Sequence, residues 1–193
     1  MMPKNYLESV NKQFLYYKTI GEKAMEQLEP EQLFVSVNED TNSIATIVKH
    51  LSGNMLSRWT DFLTTDGEKE WRNRDEEFEL HLDPDKEALM NVWNKGWNCF
   101  FEALNSLLPE QLESIIYIRN EGHTVLEAIN RQLAHYPYHV GQIVFYAKLL
   151  KKSEWNSLSI PKNKSRSYNA EKFAQEKSIK NFTEEALNKL QKE

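Results

Sequence analysis

The sequence predicts an all-α protein, a four-helix bundle followed by an irregular, partly helical C-terminal tail. Apolar residues recur three and four positions apart along four long stretches, the pattern of helices that bury one face. Strand-like alternation is nearly missing, and Pro, Ser, Thr and Asn mark where the stretches begin and end.

The first helix carries Leu7, Val10, Phe14, Tyr17, Ala24 and Leu28 on one stripe, and Glu29-Pro30 ends it. Loop residues follow, and Thr41, Asn42 and Ser43 offer N-caps for the second helix. Its stripe is Ile44, Ile47, Val48, Leu51, Met55, Trp59 and Phe62. Residues 64–83 are polar, acidic and aperiodic, a long connection with room for a short helical turn. Pro84, a favoured first-turn residue, opens the third helix, striped by Leu89, Trp93, Trp97, Phe100, Leu104 and Leu107. Pro109 starts a linker, and Ile115–Arg119 reads as extended or helical. Thr124 and Glu127 form a capping box for the fourth helix, which runs to about Lys151 on Val125, Ile129, Leu133, Tyr136, Val140, Ile143 and Ala147. The bundle is therefore expected over residues 1–152 and an extension packing on or beside it over 153–193. In that extension Trp155, Leu158 and Ile160 can lie across the bundle, and residues 170–179 and 183–191 are short charged helix candidates.

With 193 residues the chain can bury a full core without staples. Apolar residues make up 40% of it. That share is too high for general disorder. The net charge of −5 is spread over both signs, and the basic cluster Lys162–Arg166 is short, so the footprint of a nucleic-acid binder is missing. The single Cys99 rules out an intrachain disulfide framework and fits a reducing cytoplasm. The first residues lack the apolar segment of a secretory signal, and no window approaches the ~18 apolar residues of a membrane span. The expected setting is cytoplasmic, with no membrane partner.

Two histidines one helical turn apart carry the chemistry. His135 and His139, in LAHYPYHVGQIVFYAKLL, project to one flank of the fourth helix, where two imidazoles can share an ion. His50, to the side of the second helix's stripe in IVKHLSGNMLSRW, is the natural third ligand. Gly53 and Ser57 leave room beside it. The same spacing also arises from two partly buried histidines without a ligand role. Three neutral imidazoles suit zinc, nickel, iron or copper, and three ligands leave coordination positions open. The HEXXH of metalloproteases is missing, since Tyr136, Pro137 and Tyr138 intervene. Pro137 either aims the histidines or bends the helix around the core. Asn54, Arg131, Gln142 and Tyr146 share the histidine flanks, where they orient ligands, bind substrate or simply edge a polar groove.

These segments resemble the DinB/YfiT-like superfamily of metal-dependent bundle proteins. The resemblance covers roughly residues 7–151. It rests on IVKHLSGNMLSRW, on IRNEGHTVLEAINRQLAHYPYHVGQIVFYAK with its HXXXH followed by GQI, and on WNSLSIPKNKS, which looks like a branch of unknown function. It implies a four-helix bundle, commonly a homodimer, holding a divalent ion through His50, His135 and His139. It also implies transferase or isomerase chemistry with bacillithiol, mycothiol or glutathione, in which a metal-bound thiol becomes the thiolate nucleophile.

The leading expectation is thus a metal-dependent transferase acting on small electrophiles with a low-molecular-weight thiol. Zinc or nickel is expected ahead of iron or manganese. A non-catalytic metal-binding or stress-related structural protein is the alternative, and a metal-dependent hydrolase ranks third because no general base is evident. Cys99 reads as a buried, inert thiol. His123 and His81 read as polar loop residues, and Glu76, Glu77 and Glu79 as a solvated charge run.

Overall fold

The computed structural model describes residues 2–79 and 84–190, with the side chains of residues 2–4 and 182 left out. It is mostly helical. Among the described residues are seven α-helices: α1 Met2–Glu26, α2 Pro30–Phe34, α3 Ile44–Trp59, α4 Lys86–Ser106, α5 Val125–Lys151, α6 Ser165–Phe173 and α7 Phe182–Leu190. One antiparallel hairpin, β1 Ile115–Ile118 and β2 Glu121–Thr124, joins α4 to α5, pairing Ile115 with Thr124 and Ile118 with Glu121. No described helix is long and apolar enough to cross a membrane.

Local chemistry sets the helix starts. Ser43 Oγ accepts the Thr46 N–H at 3.1 Å to open α3, and Asp85 Oδ1 accepts that of Ala88 at 3.0 Å to open α4, one residue after Pro84. At α5 the expected capping box is complete: Glu127 N–H donates to Thr124 Oγ1 at 3.1 Å, and Thr124 N–H to Glu127 Oε2 at 2.9 Å. Lys152, at φ 56°, ends α5.

The four long helices close a ring of contacts. α3 packs on α4, α1 on α5, α3 on α5 and α1 on α4. Their facing stripes bury Phe14, Leu51, Met55, Trp97, Phe100, Tyr136 and Ile143 in one core. An aromatic cluster fills its middle, with Phe14 edge-on to Phe100 at 4.5 Å and Trp97 edge-on to Tyr136 at 5.7 Å. Edge-to-face pairs of this kind set the positive rim of one ring against the negative face of the next. The α3–α4 approach depends on small residues, because a Cβ on Gly96 would lie 2.7 Å from Ser52 Cα.

Local expectations change at Pro30 and in the tail, and the open reading of Ile115–Arg119 is decided. Pro30 does not lead into a loop; it opens α2, with Gln32 Oε1 accepting the Glu29 N–H at 2.9 Å. Ile115–Ile118 is extended, because the Arg119-Asn120 turn that follows folds the chain back as a hairpin. Its two residues take left-handed φ values, 56° at Arg119 and 62° at Asn120. Asp66 holds that turn by accepting both backbone N–H groups, at 2.9 and 2.8 Å. In the tail, α6 starts at Ser165 rather than near residue 170 and buries nothing, while α7 lays Leu187 and Leu190 against α1. Trp155 and Leu158 pack on the core as expected, but Ile160 stays 43% exposed.

Candidate metal centre

α3 and α5 face each other at mid-length, and this brings together the three histidines that the sequence separates by up to 89 positions. One ring nitrogen from each of His50, His135 and His139 lies within 4.8 Å of the other two. Ring centroids are 5.6 Å apart for His50–His135, 5.0 Å for His50–His139 and 4.8 Å for His135–His139.

Each ring has an oxygen acceptor on Nδ1. His135 Nδ1 is 3.2 Å from Gln132 Oε1, His139 Nδ1 is 3.0 Å from Gln142 Oε1, and His50 Nδ1 is 3.0 Å from Glu77 Oε2. An acceptor there keeps the proton on Nδ1 and leaves the lone pair on Nε2. Nε2 of His135 and Nε2 of His139 then face each other at 3.1 Å with no proton between them. That contact is repulsive as it stands, and a cation between the two lone pairs would make it favourable. The spacing suits one ion, since two nitrogens at tetrahedral zinc distances sit ~3.3 Å apart. The donor set fits a divalent transition metal held by three imidazoles.

Electrostatics keep two of these rings neutral. Burial, then the neighbouring His139 and His50, push His135 down to about 4. Burial also lowers His139, against the opposing bond from Gln142. Because His135 resists protonation only when folded, the unfolded chain binds the extra proton between pH 6.5 and about 4. Stability of the metal-free protein should therefore fall as pH drops through that window. Thermal melts at pH 7 and pH 5 should show a smaller drop for His135→Asn than for wild type; equal drops would refute the assignment.

Glu77 is the residue beside the triad that sequence reasoning misread. It is no part of a solvated run: it lies in a short 3-10 turn, Asp75–Phe78, and is 7% exposed. Arg72, itself buried, grips both carboxylate oxygens, Nε to Oε1 at 2.7 Å and Nη2 to Oε2 at 3.0 Å. Lys49 donates to the carbonyls of Glu76 and Glu79 at 2.9 and 2.6 Å and so fastens the turn to α3. The result is a carboxylate–histidine pair of the kind that orients metal ligands. Phe78 covers His50 at 5.3 Å, and His50 is buried rather than set in an open groove. The room expected beside Gly53 and Ser57 is filled. A Cβ on Gly53 would lie 2.2 Å from Glu77 Oε1, and Ser57 Oγ donates to Gly67 O at 2.8 Å. Alanine at a helical glycine normally stabilises by ~1 kcal/mol. Here Gly53→Ala should instead displace Glu77 and weaken ion binding about tenfold, as loss of an outer-shell partner does. Metal titration of the variant measures this, and unchanged affinity would show that Glu77 does not orient His50.

The family model described as "Protein of unknown function (DUF1572)" matches residues 1–164. The chain belongs to that family. No curated protein and no solved structure matches it. The DUF1572 match takes in the three histidines and Glu77 and stops at Lys164, so α6 and α7 lie beyond it.

The other expected site residues of this DUF1572 chain divide. Gln142 Oε1 meets His139 Nδ1, and Gln132, which carried no signal in the sequence, does the same for His135. Asn54 meets no histidine. Its Oδ1 accepts from Tyr136 Oη at 3.2 Å, and that oxygen accepts from Trp59 Nε1 at 3.0 Å, a buried polar chain inside the core. Tyr146 donates to Val35 O at 3.0 Å and ties α5 to the segment after α2. Arg131 is exposed one turn before His135. Cys99 is partly buried beside Thr60 Oγ1, His123 lies in β2, and His81 falls outside the described residues.

Proposed function

We propose that this chain is a cytoplasmic, divalent-metal-binding protein of the DinB/YfiT-like four-helix-bundle type. His50, His135 and His139 hold the ion, zinc or nickel ahead of iron or manganese. Its activity is transfer of a low-molecular-weight thiol, bacillithiol-like, onto small electrophiles. The observation that carries the metal reading is the convergence of three imidazoles whose Nδ1 atoms all face oxygen acceptors, so that their Nε2 lone pairs are turned inward. The bundle assignment is supported by the ring of contacts among α1, α3, α4 and α5.

When bound, a divalent ion here supplies the Lewis acidity that lowers the pKa of a thiol or a water. The chain's own residues do the rest. Gln132, Gln142 and Glu77 hold the imidazole tautomers, burial keeps His135 and His139 neutral, and Phe78 shields His50 from water. A homodimer belongs to the same reading. On the outer face of α5, Phe145 and Leu149 are exposed beside Gly141, where a Cβ would meet nothing within 4 Å.

Metal content by mass spectrometry on untagged protein tests the site. About one ion per chain is expected, with none in His135→Ala/His139→Ala. Bacillithiol and glutathione assays with monochlorobimane then test the reaction. Bound metal without metal-dependent turnover would favour the non-catalytic alternative, and no ion after reconstitution with zinc, nickel and manganese would refute the metal reading itself.

A further inference from the structure

We infer that the ligand completing this centre is a small organic anion carrying a carboxylate besides its metal-binding group, and that Arg131 docks that carboxylate. This rests on the metal reading above and deepens it by naming the ligand's charge.

The argument is one of charge balance. Three neutral imidazoles bring no negative charge to a divalent ion. Among the described residues Glu77 is the one carboxylate bonded to the triad, and both of its oxygens are gripped by Arg72. Its charge is therefore compensated inside the protein. Of the two guanidiniums near His135, Arg58 is paired with Glu68 at 3.0 Å, which leaves Arg131 as the uncompensated charge. The charge of the ion dominates such a site and is left for an incoming ligand to neutralise.

Arg131 gives that ligand a second point of attachment. It sits four residues before His135 on the same face of α5. That spacing is about one helical turn, or roughly 6 Å along the axis. Arg131 is exposed and, among the described residues, makes no ion pair. A guanidinium so placed presents a fork matched to a carboxylate. Tyr138, packed on His139 at 5.0 Å and largely exposed, and Phe78 on His50 line the approach with aromatic surface. The site thus selects a short anion with a metal-binding head at one end and a carboxylate about one helical turn away.

The test uses the full chain loaded with Co(II), whose visible absorption reports ligands entering the ion's coordination sphere. Acetohydroxamate and succinomonohydroxamate share a metal-binding head and differ by a carboxylate arm. The second should bind about tenfold more tightly, the size expected of one charge-assisted pair. Arg131→Gln should abolish that advantage while leaving cobalt content and acetohydroxamate affinity unchanged. Raising the salt should shrink the advantage in wild type, because an exposed pair is screened. Cobalt bound with equal affinities for the two probes, or an advantage that survives Arg131→Gln, overturns this inference alone. Failure of the wild-type chain to bind cobalt overturns it together with the metal reading.

Discussion

Glu77→Ala should destabilise the protein by about 3–5 kcal/mol, the usual cost of removing one member of a buried ion pair. It should also weaken metal binding about 10–100-fold. Arg72 is left as a buried guanidinium whose fork has lost its acceptor, with only a 3.9 Å approach to Glu68, and His50 Nδ1 loses the oxygen that sets its tautomer. The two effects are separable. Arg72→Met/Glu77→Leu removes both charges and should recover much of the stability, since apolar replacements of buried pairs are often neutral or better. It should not recover ion affinity, because His50 stays unpartnered. Recovery of both would mean that Glu77 only braces the connection between α3 and α4.

The same residue shapes the acid limb of stability. Burial raises the Glu77 carboxyl, but the bonds from His50 and Arg72 outweigh it and hold the group below its ordinary 4.5. A depressed carboxylate stabilises the fold above its unfolded pKa, and that stabilisation is lost as pH falls through the lower folded value. Melting temperatures below about pH 4.5 should therefore fall less steeply in Glu77→Gln than in wild type.

Trp97→Ala is expected to cost about 3–5 kcal/mol through the cavity it leaves. For a chain of this size that is a fall of roughly 6–20 °C in melting temperature. Trp97 is fully buried and touches the rings of Phe14, Trp93, Phe100, Phe101 and Tyr136. Trp97→Phe should cost under about 2 kcal/mol, because it keeps one ring and orphans no polar group. The indole Nε1 has no hydrogen-bond partner among the described residues. Equal losses in the two variants, measured by chemical denaturation, would show that the indole's second ring rather than the aromatic cluster holds the core.

Helical periodicity made the four long helices legible, because each buries one face and the apolar residues must then repeat every three or four positions. Caps were legible for the same local reason. Ser43 and the Thr124–Glu127 pair act within one turn of chain, so neighbours in sequence are neighbours in space. The HXXXH spacing likewise placed His135 and His139 side by side before any fold was known. The exposed tail helix α6 was misplaced, having no buried face to impose a period.

The sequence by itself thus determined the helices, their inward faces and two adjoining imidazoles, all consequences of local geometry. The tertiary structure alone decided which distant groups meet them. His50 reaches the pair only because α3 packs on α5. Glu77, 27 positions from His50 in an aperiodic acidic stretch, carries no pattern that separates it from its solvated neighbours. It is drawn in because Gly53 vacates the space its carboxylate occupies and Arg72 neutralises the charge it buries. A buried carboxylate is set by partners far along the chain, and no periodicity in one segment can announce it.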